Sequence, residues 1–377
     1  NWTGTDLEGF TPEKVYVDLS ALGLDSKTEM DTELMALSFG CLEGTTIGGK
    51  AIKVTLIDDC DMTYTTNVTV NVKARTKTAN TATKLGTFDW DEAVIYFAIT
   101  DRFFDGNTEN NLGDPDSTAD DETYDPNDPG SYHGGDFAGL TQKIDYLYDL
   151  GVNTIWLTPI VDDIDINLDE EDNYENSDSY GYHGYWASDF TTLNPHLGTE
   201  AEFAALVSAA HAKGMKIMVD VVLNHSGYET EDYFNSILDG KNMVRDSSNT
   251  VPGDQRQDGL SGLPDFVTED EDVRAQLIEW QTGWMTDYDI DYYRVDTVKH
   301  VDNTTWSAFK NALIEENQDF KLIGEYYDAG YLNDYDQLDS GRMDSLLDFN
   351  FNDLMLKLVD EDLTGIEEAL SDRNSSL

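Results

Sequence analysis

The sequence predicts an α/β protein whose main part is a parallel sheet, preceded by a smaller all-β region. From residue 93 onward, short apolar strands alternate with longer segments of helical periodicity. Before residue 80, short β-rich segments follow one another with only turn residues between them. Repeated strand–helix units indicate a parallel sheet, either doubly wound or closed into a (β/α)8 barrel, whereas closely spaced strands are typical of a small sandwich.

The first region, residues 1–80, is predicted to be an immunoglobulin-like β-sandwich that serves as an accessory domain. Its strand candidates are "KVYVDLSALG", "TELMALSFG", "KAIKVTLIDD" and "NVTVNVKART". Cys41 and Cys60, the two cysteines of the chain, both fall here. They could form a disulfide or remain free thiols, and the sequence leaves both alternatives open. Residues 81–92 are predicted to be a polar linker.

The second region, residues 93–377, carries six strand candidates separated by helices. The strands are predicted at 93–101, 153–159, 216–225, 290–296, 321–327 and 345–351, and helices at 140–151, 199–214, 272–288 and 304–317. Residues 226–268 are rich in Asp, Gly, Asn and Ser and lack periodicity. This segment is too long for an ordinary loop, so we expect an inserted subdomain after the third strand.

The chain is strongly acidic, with 76 Asp and Glu residues against 23 Lys and Arg, a formal net charge of −53. Such a surface repels nucleic acid and anionic membranes, so neither is an expected partner. The sequence offers no membrane span. The charge fits either adaptation to high salt or an extracellular enzyme in a medium rich in divalent cations, and composition does not choose between them.

Polar side chains gather where the predicted strands end, which is where parallel α/β enzymes place their catalytic groups. Three consecutive strands deliver Asp220, Asn224 and His225, then Arg294, Asp296, Lys299 and His300, and finally Glu325.

Arg294 and Asp296 are two positions apart on one strand, so both point to the same face of the sheet. A guanidinium beside a carboxyl group favours the ionised carboxylate, which suits a nucleophile. Glu325 has no cation adjacent in sequence, and a raised pKa there would suit a general acid. One ionised and one protonated carboxyl group are the minimum for retaining glycoside hydrolysis. From the spacing alone, a structural Arg–Asp ion pair with an unrelated Glu325 is the favoured interpretation.

Three stretches in order resemble signature regions of the α-amylase family of glycoside hydrolases. They are "DVVLNH" (220–225), "YYRVDTVKH" (292–300) and "GEYYD" (324–328), supported by "GVNTIWLTP" (151–159), "GYHGYWASDF" (181–190) and "LPDF" (263–266). The resemblance covers about residues 93 to 350 and implies a (β/α)8 (TIM) barrel. It also implies a retaining enzyme that cleaves α-1,4-glucosidic bonds in starch, glycogen or maltodextrins.

The resemblance assigns roles residue by residue. Asp296 would be the nucleophile, Glu325 the general acid/base, and Arg294 the residue that holds Asp296 in place. The substrate-binding side chains would be His225, Tyr185, His183, Lys299 and His300, with Asp220 supporting the site from the third strand. Lys299 and His300 would contact the sugar on the leaving-group side.

Two calcium sites follow from the same resemblance, and their oxygen-rich ligands suit a hard cation such as Ca²⁺. One would use Asn224, Asp265 and the backbone carbonyl of His300. The other would use Asp105, Asn107, Asn110, Asn111, the carbonyl of Gly134, and Asp136. The alternative for the second set is a solvated Asn/Asp-rich turn.

The sequence departs from the family pattern in two places. Tyr292 stands where the family usually has Gly. Its bulk is expected to crowd the floor of the site, at a level deeper than Asp296. No His-Asp pair follows Glu325, and six strands are present where a closed barrel has eight. We therefore expect the barrel to be incomplete in this chain. The third catalytic carboxylate of the family has no counterpart here.

Alternative functions are a non-catalytic glucan-binding or scaffold protein on the same barrel, and a glucanotransferase of the same family. An extracellular or cell-surface location is expected from the polymeric substrate, the calcium sites and the accessory domain. The sequence gives no indication of oligomeric state.

Overall fold

The computed structural model describes residues 12–30, 45–72, 90–113, 123–168, 179–246, 248 and 250–376. The first region contains β1 (Pro12–Asp18), β2 (Thr28–Met30), β3 (Gly48–Asp58) and β4 (Thr63–Val72), in an antiparallel sheet of order β2-β1-β3-β4. Val17, Leu22 and Ile52 are buried on one side of it. The predicted strand "TELMALSFG" and Cys41 lie outside the described residues, so the sandwich stays a prediction. Cys60 is an exposed free thiol.

The second region follows the predicted strand–helix alternation. In chain order it contains β5 (Ile95–Ala98), α1 (Thr100–Phe103), α2 (Phe137–Gln142), α3 (Ile144–Asp149), β6 (Thr154–Leu157), β7 (Val161–Asp163), β8 (Ala187–Leu193), α4 (Glu200–Lys213), β9 (Lys216–Val221), α5 (Glu231–Phe234), α6 (Glu271–Tyr288), β10 (Tyr292–Val295), α7 (Asn303–Glu316), β11 (Lys321–Gly324), β12 (Ser345–Leu346), α8 (Phe349–Val359) and α9 (Ile366–Ser376). None of the helices in the described ranges is long and apolar enough to cross a bilayer.

Six strands form one curled parallel sheet in the order β5-β6-β9-β10-β11-β12, while β7 and β8 pair as a separate antiparallel ribbon. All six predicted strands are confirmed, and the sheet is a half-barrel. The prediction of an α/β barrel that is incomplete in this chain is therefore confirmed.

The two faces of β10 show how the sheet is built. Tyr293 and Val295 are fully buried in the large apolar core shared with the helices. Tyr292 packs on the opposite face with Met218 of β9 and Ile323 of β11. This alternation places Arg294 on the same interior face as Tyr292, as the strand period requires.

Helix boundaries follow ordinary capping chemistry. Thr199 and Glu202 form a capping box at the start of α4, and Gly214 ends that helix with a φ of 79°. Asp270 caps α6 by accepting bonds from the Asp272 and Val273 amides. The predicted helix at 140–151 is two short helices, α2 and α3, which meet at Lys143.

The last strand is shorter than predicted. The sequence favoured a strand over 345–351, but β12 has only two residues. Asp348 accepts a hydrogen bond from the Phe351 amide at 3.0 Å and so caps α8, which begins at Phe349. The N-cap ends the extended segment early.

Candidate active site

Arg294 binds the side chains of three carboxylates at the C-terminal ends of β9, β10 and β11. Its Nη1 donates to Asp296 Oδ1 at 2.6 Å and to both oxygens of Asp220 at 2.9 Å. Its Nη2 lies 2.9 Å from Glu325 Oε2. Arg294 is 4% exposed, so this pairing takes place away from bulk water. The structure therefore brings together the three predicted catalytic residues and Asp220.

The turn after Asp296 fixes the position of Glu325. Thr297 has a φ of 51°, a left-handed conformation that is strained for a β-branched residue. The Val298 amide donates to the Glu325 carbonyl at 2.9 Å, and the Glu325 amide donates to the Val295 carbonyl at 2.8 Å. Neighbouring strand ends thus hold the two candidate catalytic carboxyl groups together.

Glu325 has the electrostatic environment of an acid. Burial raises the pKa of Glu325, Arg294 opposes that rise, and the charge of Asp296 together with a hydrogen bond between the two side chains reinforces it. The raised pKa expected for Glu325 from the sequence agrees with this direction.

Asp220 lies beneath the pair and is 1% exposed. It accepts hydrogen bonds from the Tyr185 hydroxyl at 2.8 Å and from Trp156 Nε1 at 3.1 Å. Burial raises the pKa of Asp220 to about 7, although Arg294 acts in the opposite direction. Trp156 was not predicted as a site residue. Its position on β6, inside the motif "GVNTIWLTP", is the sequence feature that could have indicated it.

His183, Tyr185 and His225 line one side of the cluster. The Tyr185 amide donates to His183 Nδ1 at 3.1 Å, and their rings stack with centroids 5.7 Å apart. His225 Nε2 lies 3.2 Å from the Tyr185 carbonyl oxygen. Burial lowers the pKa of both imidazoles to about 4, so each is neutral at pH 7 and can donate one hydrogen bond.

Lys299 and His300 follow on the short 3-10 turn Val298–His300. Lys299 Nζ lies 5.7 Å from the ring centroid of Tyr327 and 5.9 Å from that of Tyr326. His300 Nδ1 lies 2.7 Å from the carbonyl oxygen of Gln255 in the inserted segment. Lys299 therefore lies near the two tyrosines that follow Glu325, and His300 contacts the inserted segment.

Tyr292 does not obstruct the cluster. It is 7% exposed and lies one layer below Arg294, where its ring meets Trp90 edge to face at a centroid distance of 4.8 Å. Trp90 Nε1 also donates to Ser345 Oγ on β12 at 2.9 Å. The expectation that Tyr292 crowds the site is not supported by these contacts, because the ring fills space beneath it.

The loop with "DGNTENN" and "GGD" fits a calcium ion. The Oδ1 atoms of Asp105, Asn110 and Asn111 are buried without a hydrogen-bond partner. A Cβ on Gly134, whose φ is 86°, would lie 2.8 Å from Asn111 Oδ1, so this backbone approaches the amide closely. Unpartnered buried oxygens are costly unless a cation neutralises them. Asp136 instead caps α2, accepting from the Gly139 and Asn107 amides, and Asn107 bonds Glu202.

The second predicted calcium set is different. The backbones of Asn224 and Asp265 are brought together. The Phe266 amide donates to the Asn224 carbonyl at 2.8 Å, and His225 and Asp265 form an antiparallel backbone β-bridge. Asp265 Oδ2, however, accepts from Arg245 Nε at 2.8 Å. The described hydrogen bonds of His300 run to Thr297 and Gln255. A fixed guanidinium on the key carboxylate does not fit a divalent cation there.

Comparisons with known proteins match the second region of the chain. The family profile described as "Alpha amylase, catalytic domain" matches residues 97–258 and 255–370. An alpha-amylase of Streptomyces lividans is 34% identical over 293 residues, covering 61% of this chain and 31% of that protein. A cyclomaltodextrin glucanotransferase of Bacillus sp. (strain 6.6.3) is 33% identical over 282 residues, covering 69% of this chain and 38% of that protein.

Among solved structures, an Anoxybacillus alpha-amylase superposes with a TM-score of 0.59 at 33% identity, covering 70% of this chain and 53% of that one. The chain thus spans about half or less of the length of these relatives.

Proposed function

Since the chain belongs to the α-amylase family of glycoside hydrolases, whose members act on α-glucans, we propose that it cleaves α-1,4-glucosidic bonds in starch, glycogen or maltodextrins with retention. The observation that supports this most is the shared guanidinium: Arg294 contacts both Asp296 and Glu325. Retaining enzymes need their two carboxyl groups about 5–5.5 Å apart, whereas inverting enzymes separate them by about 6.5–9.5 Å. Two carboxyl groups on one guanidinium favour the first class.

In the proposed reaction, Asp296 attacks the anomeric carbon while Glu325 gives its proton to the departing glycosidic oxygen. The bond to the leaving sugar breaks as an ester between the sugar and Asp296 forms. Glu325, now ionised, takes a proton from water, whose oxygen attacks the anomeric carbon and releases Asp296. Arg294 orients Asp296 through its hydrogen bond to Oδ1. The neutral His183, whose Nδ1 accepts from the Tyr185 amide, donates from Nε2 to a sugar hydroxyl, whereas His225 donates its one proton to the Tyr185 carbonyl.

A glucanotransferase is the second candidate, favoured by the similarity to cyclomaltodextrin glucanotransferases. In that case a sugar hydroxyl replaces water in the second step, with the same residues in the same roles. A non-catalytic glucan-binding protein is the third candidate. The pairing of Arg294 with Asp296 and Glu325 argues against it, since binding alone does not require two carboxyl groups on one buried guanidinium.

The experiment is product analysis with full-length protein on maltooligosaccharides. Initial products with the α-configuration support retention, and initial β-anomers would exclude it. Longer oligosaccharides or rings appearing before reducing sugar would identify the transferase. Bound substrate without any product would support the non-catalytic alternative.

Calcium is proposed only for the loop that holds Asp105, Asn110, Asn111 and the Gly134 carbonyl. A bound ion there would supply divalent charge to buried oxygens and tie the two segments together. A secreted or cell-surface location remains a proposal that rests on the polymeric substrate.

A further inference from the structure

Positively charged side chains join the two ends of the inserted segment, residues 241–245 and residues 265–272. Val244 pairs with Phe266, and His225 pairs with Asp265, so the segment's neck is a small ladder at the end of β9. The Arg245 amide donates to the Asp265 carbonyl at 2.7 Å. This places the Arg245 side chain against the Asp265 carboxylate.

The guanidinium of Arg245 is held by two carboxylates. Nε donates to Asp265 Oδ2 at 2.8 Å, and Nη1 and Nη2 donate to the two oxygens of Glu269 at 2.7 Å each. The Arg245 side chain is 2% exposed and that of Asp265 is 8% exposed. The single bond to Asp265 is buried and therefore only weakly screened by salt. The bidentate contact with Glu269, whose side chain is 42% exposed, fixes the orientation of the guanidinium.

A second cation reinforces the same neck. Lys241 Nζ lies 2.8 Å from Asp270 Oδ1 and 2.5 Å from Asp272 Oδ2, at the start of α6. Residues 241–245 are thus linked to residues 265–272 by two positive side chains. The carboxylates at the neck are therefore balanced by Lys241 and Arg245, two side chains of the protein itself.

The two predicted calcium sites differ in whether their candidate ligand oxygens already have a partner. In the loop site, carboxylate and amide oxygens are buried without partners. At Asp265, one carboxylate oxygen is already occupied by a buried positive charge. A divalent cation on Asp265 would sit beside that guanidinium and be repelled by it.

We propose that Arg245 supplies, at the neck of the inserted segment, the positive charge that a calcium ion would otherwise supply. Asn224, Asp265 and the His300 carbonyl therefore do not form a calcium site in this protein. The inserted segment, which carries Gln255 to the His300 side of the active site, is held in place without a metal.

The test is calcium content and thermal stability in the full-length protein. Wild type, Asp265→Asn and Asp105→Asn are stripped with chelator, reloaded with calcium in high salt, desalted and analysed for bound calcium. High salt suppresses weak binding to the acidic surface. We expect Asp265→Asn to retain the wild-type calcium content. One calcium equivalent fewer in Asp265→Asn would overturn the inference.

Arg245→Gln tests whether the Arg245 charge stabilises the neck, with Arg256→Gln as the matched control. Arg256 lies in the same segment, has a side chain that is 52% exposed, and forms an ion pair with Asp254. We expect the melting temperature of Arg245→Gln to fall by about 5 °C or more, equally in calcium and in chelator. A fall seen only in chelator, or a melting temperature like that of Arg256→Gln, would contradict the inference.

These outcomes are separate from the proposed function. Asp105→Asn reports on the loop calcium site alone, so unchanged calcium there would remove that site and leave the Arg245 result standing. Neither measurement uses catalytic activity. If Arg245→Gln does not fold, the calcium content of Asp265→Asn still decides the question.

Discussion

Arg294 Nη1 lies 2.6 Å from Asp296 Oδ1, and the two residues are two positions apart on one strand. The strand period puts both side chains on one face, and the register with β9 places Asp220 beside Arg294. A single buried guanidinium therefore contacts both the candidate nucleophile and the candidate general acid. The ion pair whose role the spacing left open joins the two candidate catalytic carboxyl groups.

Replacing Arg294 by Lys should separate charge from geometry. Lysine keeps the positive charge but cannot span three carboxylates with a planar group. We expect kcat to fall about 100-fold or more, since small displacements of a nucleophile are costly. Steady-state kinetics on a maltooligosaccharide measures this, with Arg256→Lys as the control. Activity within a few-fold of wild type would show that the charge alone suffices.

Asp296→Asn should remove turnover and also lower the pKa of Glu325. The negative charge of Asp296 is one of the causes that raise the Glu325 pKa, so its removal leaves Arg294 less opposed. Carbon-detected NMR of labelled glutamates, with Glu325→Gln to assign the signal, follows this titration. A Glu325 pKa that stays the same or rises in Asp296→Asn would refute the coupling. Asp339→Asn, an exposed site on the following loop, is the control.

His183 should contribute to the loss of stability in acid. Burial lowers its pKa to about 4 in the folded state, below the ordinary value of 6.5. The unfolded chain therefore binds the extra proton first, and this contribution is present above pH 6.5 and lost as the pH falls to about 4. The loss amounts to about 3 kcal/mol once the pH is below about 4.

Denaturant unfolding at several pH values should show a shallower pH dependence of the free energy of unfolding for His183→Gln between pH 4 and 6.5.

His211 is the contrasting case, because its pKa is shifted in the opposite direction. Burial acts to lower its pKa, but the hydrogen bond and charge of Asp291 outweigh it and raise the pKa. Its stabilisation is present below the unfolded pKa and lost as the pH rises. His211→Gln should therefore not flatten the acid limb, and equal slopes for both variants would disprove the assignment.

Gly134→Ala should weaken calcium binding more than a comparable glycine substitution elsewhere. Gly134 and Gly240 both have positive φ, so alanine costs about 1–2 kcal/mol of backbone strain at either position. Only at Gly134 does the new Cβ meet Asn111 Oδ1, whereas Gly240 faces open space. Calcium titrations followed by thermal shift compare the two. Equal calcium affinities would remove Gly134 and Asn111 from the site.

The central cluster could be predicted because strand alternation and strand-end chemistry are local properties of the sequence. The period of two predicted that Arg294 and Asp296 share a face, and the order of the strands predicted Glu325 at the next strand end. Their assignment as one catalytic set came from the resemblance of the surrounding motifs. The contact of Trp156 with Asp220 joins residues 64 positions apart and depends on how far one ring reaches across the sheet.

Other features depend on tertiary closure and were missed for that reason. Arg245 meets Asp265 only because the inserted segment folds back on itself, which no periodicity in residues 226–268 indicates. The short β12 results from a single N-cap, Asp348. Tyr292 looked intrusive in the sequence because its partner, Trp90, comes from a segment predicted to be linker.

The most direct test is to trap the reaction intermediate with an activated fluorinated α-glucoside and to locate the label by peptide mass spectrometry. Slow turnover of such a sugar accumulates the glycosyl–enzyme ester. We expect one sugar per chain, attached to Asp296, and no label in Asp296→Asn. A label on Glu325 or Asp220, or turnover without any covalent adduct, would contradict it.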